Sequence, residues 1–311
     1  MSSPQASKRT GRFAEAVLSA QRQALGSDAD VILLGENVGR MGGLHGSSQG
    51  LLEEFGPKRV IDTPISDASA IGLASGLALV GKKVIVELSG PDRLAACWEV
   101  LRLELANLQS RSNGAFASTV ILRVPAGRGI GGGRYLEAAP EGNLSSIDGL
   151  RVLAPSSGTE AGGMLLAALQ APGPTVILES NALLHSRSAA PAEAHAIEGA
   201  EVLLPGEDLT ILTYGGNTRL ALQLAQRGEK EGFSAEVVDL RSLRPLDVAT
   251  IGTSVQKTGH ILFLHESEAL AERILRAVFD SSFLYLEAPP ALSMSDDIEA
   301  LVDVIWENLD Y

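Results

Sequence analysis

The side chains of this sequence best suited to moving protons are a few carboxylates and imidazoles at the ends of apolar runs. Glu36 stands one glycine beyond the run 31–34, where a carboxylate either orders the loop behind it or faces a ligand. Asp67 stands immediately before a helical stretch that starts near residue 68, and aspartate is a preferred N-cap, so capping is one reading of it. His45 sits in the glycine-rich segment 42–46, as a solvated loop residue or as an imidazole available for proton transfer. His265 and Glu266 follow the run 261–264, a place that suits a structural hydrogen bond. The run 127–133 (GRGIGGG) follows a strand signal but opens no periodic helix, so it fits an active-site loop better than a dinucleotide fingerprint. Cys97, the single cysteine, excludes an internal disulfide or a cysteine-built metal cluster and reads as a small buried hydrophobe.

These groups need elements to hold them. The runs 31–34, 84–86, 119–124, 175–178, 209–212 and 261–264 are rich in Val, Ile and Leu without polar alternation. That pattern predicts strands buried on both faces of a mostly parallel sheet. Apolar residues at helical spacing over 12–25, 68–79, 94–109, 159–169, 219–231 and 268–281 supply the covering helices, which makes the fold class α/β. The Ala and Gly content of 68–81 suggests close packing against a neighbour. At 186–199 the periodicity gives way to Ser, Ala, Pro and Glu, which predicts a linker between domains at 1–185 and 200–311.

A net charge of -13 and the absence of any basic run disfavour nucleic acid as a partner. Every apolar run is far shorter than the roughly 18 residues of a membrane span. The opening residues 1–10 are polar and lack the apolar core that secretion requires, so the expected location is cytoplasmic.

Two stretches are far more specific than composition. The first is 31–40 (VILLGENVGR), with Gly42, Gly43, Gly50 and Leu51 behind it and 59–66 (RVIDTPIS) further on. The second is 236–247 (EVVDLRSLRPLD), continued by Lys257, Thr258, Gly259, His265 and Glu266. With 125–133, 149–155 and 177–179 they run in one unbroken order over nearly the whole chain. In that order they resemble the beta subunit of the pyruvate and branched-chain 2-oxo acid dehydrogenases.

The resemblance implies a transketolase-type pyrimidine-binding domain followed by a transketolase C-terminal domain, in an α2β2 heterotetramer with thiamine diphosphate at the α–β interface. It also implies that the alpha subunit holds magnesium and the diphosphate through a Gly-Asp-Gly motif ending in paired asparagines. Neither Gly-Asp-Gly nor Asn-Asn occurs here, so that anchor is expected from another chain. The beta subunit would contribute a carboxyl group that exchanges a proton with the aminopyrimidine ring, held where water is scarce. Asp67 takes that position, with Glu36 and Ile65 placed near the cofactor and His45 at a site where relatives carry an aromatic.

Several positions depart from the family pattern. Asp67 stands where a glutamate is expected, one methylene shorter, and a misplacement of that size can cost about 100-fold in rate. Leu136 and Ser146 take the places of two histidines. Pro91 and Arg93 fall where aromatics stack on the pyrimidine, and 170–174 (QAPGP) lacks the Asp and Asn of a potassium-binding loop, so no cation is expected there. The glycine-rich turn after Glu266 is missing and the tail is short. Three functions stay open at this point. One is a subunit that helps decarboxylate a 2-oxo acid and pass the acyl group to the thiol of a lipoyl or carrier-protein component of an acyltransferase. A transketolase-like two-carbon transfer subunit is the second, and a catalytically degenerate paralogue with a structural or regulatory role the third.

Overall fold

The computed structural model describes residues 10–128, 139–189, 194 and 199–310. Each run of Val, Ile and Leu forms a strand: β2 (Val31–Gly35), β4 (Lys83–Glu87), β5 (Thr119–Ala126), β7 (Thr175–Ser180), β10 (Leu209–Thr213) and β13 (Ile261–Leu264). Shorter ones are β1 (Thr10–Arg12), β3 (Val60–Asp62), β6 (Arg151–Leu153), β8 (Arg187–Ala189), β9 (Glu201–Leu204), β11 (Ala235–Asp239), β12 (Ser242–Arg244) and β14 (Ala291–Ser293). The larger sheet runs β12-β6-β7-β5-β4-β2-β3 and is parallel except for β12. The smaller one runs β14-β13-β10-β11-β9, parallel except for β9, and β1 pairs with β8 apart from both.

The helices are α1 (Phe13–Ser27), α2 (Leu51–Phe55), α3 (Asp67–Leu79), α4 (Leu108–Arg111), α5 (Glu141–Ser145) and α6 (Gly158–Ala168) in the first part. They continue with α7 (Thr218–Glu231), α8 (Val248–Thr258), α9 (Glu268–Ser282) and α10 (Ile298–Leu309). Because successive strand residues point to opposite faces, one strand feeds two cores. Ile85 and Ile121 pack with Ala20, Ala24, Met164 and Leu165 of α1 and α6. Val84, Val86, Leu122 and Val124 pack with Ala70, Ile71 and Ala74 of α3 on the other side. None of the described helices is long and apolar enough to cross a membrane.

The spacing over 94–109 predicts one regular helix, and the backbone departs from it. A tight 3-10 segment, Pro91–Cys97, leads into a widened π segment, Val100–Ala106, before α4. Leu94, Cys97, Leu101 and Leu105 still turn one buried face to the core. Most of the expected linker, 190–193 and 195–198, lies outside the described residues, as do 129–138 with Leu136 and the glycines of that loop. Beyond the linker the chain returns once to the first sheet, where β12 pairs antiparallel with β6 at its edge.

The 170–174 turn is held from within the chain. Arg151 Nη2 donates to the carbonyls of Pro172 at 2.9 Å and Gly173 at 3.1 Å, and at 3.4 Å to that of Ala171. In the C-terminal half, Asp247 caps α8 by accepting from Thr250 N and also accepts from Ala200 N, which fixes the turn that leads into the helix.

Candidate active site

The carboxyl ends of β2, β3 and β4 lie side by side because those strands are parallel neighbours, and loops at that edge of an open α/β sheet are where such folds place ligands. Glu36 follows β2, Ser89 and Arg93 follow β4, and Asp67 opens α3 five residues after the end of β3. Glu36 Oε2 accepts from Ser89 Oγ at 3.0 Å and from Arg93 Nη1 at 3.1 Å. Arg93 therefore stands as a charged partner where the resemblance implies a stacking ring.

The capping expectation for Asp67 is overturned. Ser66 is the N-cap of α3 and accepts from Ser69 N, which leaves the Asp67 side chain, on the first helical residue, with no capping duty. Serine has the extended backbone here and a side chain short enough to reach the amide, so it takes the role one position earlier. Asp67 is only 7% exposed, and its Oδ2 has no hydrogen-bond partner. Burial raises its pKa, which the Arg93 charge and the Ser89 amide oppose and the neighbouring Glu36 and Asp92 charges reinforce. The result is a carboxyl group that holds its proton more firmly than usual beside charged groups.

A cavity of ≈ 220 Å³ opens next to this cluster, lined by Glu36, Met41, Gly43, Leu44, Glu87 and Arg93, among others. Its wall is fixed by a fully buried charge network. Arg123, inside β5, donates from Nε and Nη2 to Glu179 at 2.6 and 2.8 Å and from Nη1 to Glu87 at 2.7 Å. Glu87 in turn accepts from Leu44 N at 2.6 Å and from Ser47 Oγ, so the glycine-rich loop is clamped against β4. Gly43 is required at this contact: its φ is 70°, and a Cβ there would meet Glu87 Oε1 at 2.6 Å.

Asp67 is not itself a wall residue of this cavity but sits against Ser89 and Arg93, which are, and Ile65, His45, Ser146 and His265 do not line it either. Ile65 is 70% exposed on the loop between β3 and α3. His45 is exposed, with φ 55°, its ring edge-on to that of His185 at 6.5 Å between centroids. Ser146 is exposed and donates to Asn143 O at the end of α5. His265 is buried, its Nδ1 accepting from Ser267 N, and burial pushes its pKa down to about 4. Cys97 is buried beneath the site, and burial pushes its thiol up to about 11. No group of three or more His, Cys, Asp and Glu among the described residues is arranged to hold a metal ion.

Sequence reasoning missed the Arg93–Glu36 pair, whose partners are 57 residues apart, and the Arg123 network. The signal for the second was an arginine inside an apolar strand.

Residues 12–186 match the transketolase pyrimidine-binding domain and residues 198–300 the transketolase C-terminal domain. The chain is 36% identical over 281 residues to the pyruvate dehydrogenase E1 component subunit beta of Bacillus subtilis (strain 168), covering 88% of this chain and 86% of that one. It is 32% identical over 295 residues to the 2-oxoisovalerate dehydrogenase subunit beta of the same organism, covering 93% and 90%. Among solved structures, a split-gene transketolase, described as an inactive beta4 tetramer, superposes with TM-score 0.79 at 19% identity, over 96% of this chain and 99% of that one.

Proposed function

Since the chain belongs to the beta-subunit family of pyruvate and branched-chain 2-oxo acid dehydrogenases, we propose that it is the carboxyl-donating half of a thiamine-diphosphate-dependent 2-oxo acid dehydrogenase component. The observation that carries this reading is Asp67, a buried carboxyl with a raised pKa and an oxygen that no protein group satisfies, next to a cavity. An orphaned carboxyl oxygen of that kind fits the ring nitrogen of an aminopyrimidine, which needs a partner able to give and take one proton. Met41, Leu44 and Leu88 add apolar wall to the same cavity.

Thiamine diphosphate, when bound, supplies the electron sink for breaking the bond between the carbonyl carbon and the carboxylate of a 2-oxo acid. Asp67 holds the exchangeable proton at Oδ2. Glu36 keeps Arg93 beside it, and Arg93 keeps the carboxyl from becoming too weak an acid to release that proton. Ser89 ties the two loops together by donating to Glu36 from its hydroxyl and facing Asp67 with its amide. The buried Arg123 network holds the Gly43–Leu44 wall still, and the exposed Ile65, two residues before Asp67, is placed to meet cofactor and partner chain together.

The diphosphate and Mg2+ anchor comes from an alpha subunit, because this sequence lacks both Gly-Asp-Gly and Asn-Asn. The assembly is then α2β2, built from domains at 1–185 and 200–311, and the acyl group leaves to a lipoyl or carrier thiol of an acyltransferase component. The test is 2-oxo acid turnover by the full chain copurified with an alpha partner. Asp67→Ala abolishes turnover and Asp67→Glu preserves or raises it. An unaffected rate in Asp67→Ala rejects the role given to this carboxyl.

A further inference from the structure

In a cavity that shares no lining residue with the one beside that carboxyl, positive charge is concentrated in a way the overall balance does not predict. The chain carries a net charge of -13, yet Arg151, Arg244, Arg273 and Arg276 line one cavity of ≈ 620 Å³ against a single acidic residue, Asp280. Arg273, Arg276 and Asp280 project from one face of α9, at helical spacings of three and four residues. Arg244 arrives from β12, the strand by which the C-terminal half joins the first sheet. Leu150, Pro245 and Val248 give the same cavity an apolar floor.

Three of these arginines have work inside the protein. Arg151 holds the 170–174 turn, Arg244 pairs with Asp148 and donates to Ser145 O at 2.8 Å, and Arg276 pairs with Asp280 at 2.9 Å. Arg273 differs. Its Nε is buried without a hydrogen-bond partner, and no carboxylate among the described residues pairs with it. Burial lowers its pKa and the Arg244 charge lowers it further, with only Asp148 opposing. A guanidinium left half-buried and facing another guanidinium is stable when an anion bridges the two. Arginine forks match the oxygens of a phosphate group, and the apolar floor leaves room for an organic body attached to it.

We propose that this cavity binds a phosphate-bearing small molecule, its phosphate oxygens taken by Arg273 and Arg244 with Arg276 at the rim. Its wall comes from Leu150 of the first half, the crossing segment that carries Arg244 and Pro245, and α9 of the second, so an occupant ties the two halves together. The site is separate from the Asp67 cavity, and its test needs no turnover.

Inorganic pyrophosphate is titrated into the full chain by calorimetry, and melting temperature is followed in parallel, with sodium chloride at matched ionic strength as the control. Saturable heat is expected, together with a rise in melting temperature that chloride does not reproduce. Arg273→Met weakens the affinity at least tenfold, and Arg276→Gln, on a side chain 77% exposed and therefore safe for folding, weakens it severalfold. Absence of saturable binding overturns the proposal, as does pyrophosphate binding that survives Arg276→Gln and, where it folds, Arg273→Met at full strength.

Discussion

Arg123 and Arg93 each stand between two carboxylates near the same strand ends, and what separates them is whether anything is left over. Around Arg123 the nitrogens that point at Glu87 and Glu179 are matched, and both acids are buried and fully engaged with neighbouring groups. Around Arg93 the match is partial: Glu36 takes the hydrogen bond, and Asp67 feels the charge while one of its oxygens bonds to nothing. Closed charge clusters set shape, and open ones retain a valence for a ligand. Residue type alone does not separate the two.

The contrast is sharpest in what removal does. Arg123→Met should destabilise the full chain by about 3–5 kcal/mol, since it strands two buried carboxylates. Urea denaturation reads this, and a loss under roughly 1 kcal/mol would erase the distinction between the clusters. Asp67→Ala should do the reverse, lowering turnover of the α-complexed enzyme by about 100-fold or more while its melting temperature holds or rises, because a buried carboxyl with an unpartnered oxygen opposes folding.

Glu141 asks whether an orphan oxygen is enough by itself to alter behaviour. It is buried between the halves with Oε2 unpartnered, and burial raises its pKa from 4.5 to about 7, with nearby Glu266 adding to the effect. Between those values the folded protein keeps a proton that the unfolded chain has released. Stability from this group is therefore lost as pH rises through that window, by on the order of 3 kcal/mol. Glu141→Gln should flatten the slope of melting temperature against pH between 5 and 7, and an unchanged slope would remove Glu141 as its source. A smaller effect is expected at Arg93: Arg93→Met raises the Asp67 pKa further, moves the acid limb of the pH–rate profile upward and changes the maximal rate by less than about tenfold. Smallest is Ser66→Ala, which costs about 1 kcal/mol of stability through the lost cap and confirms that Asp67 is not the capping residue.

Much of the scaffold was legible because its strands are buried on both faces, so 31–34 and 120–124 carry no polar residue that solvent would demand, Arg123 excepted. The 3-10 and π turns of 91–106 were not, since apolar spacing fixes which face is buried but not how tightly each turn is wound. β12 was illegible too, being three residues long and paired across a gap of about ninety in sequence. At the proposed site, the ordered motifs pointed to Asp67 and Glu36 together. The pairing of Glu36 with Arg93 could not be read, because those two meet only once β2 and β4 are laid side by side.

Arg151 has one more consequence. The turn at 170–174 takes its bend from a side chain encoded twenty residues upstream, whose guanidinium gathers three backbone oxygens at once. A corner gathered in this way has its bend written into the polypeptide, and exchanging one alkali chloride for another in the buffer should leave it as it is, whereas a melting temperature that differs between the two salts would mark a bound cation.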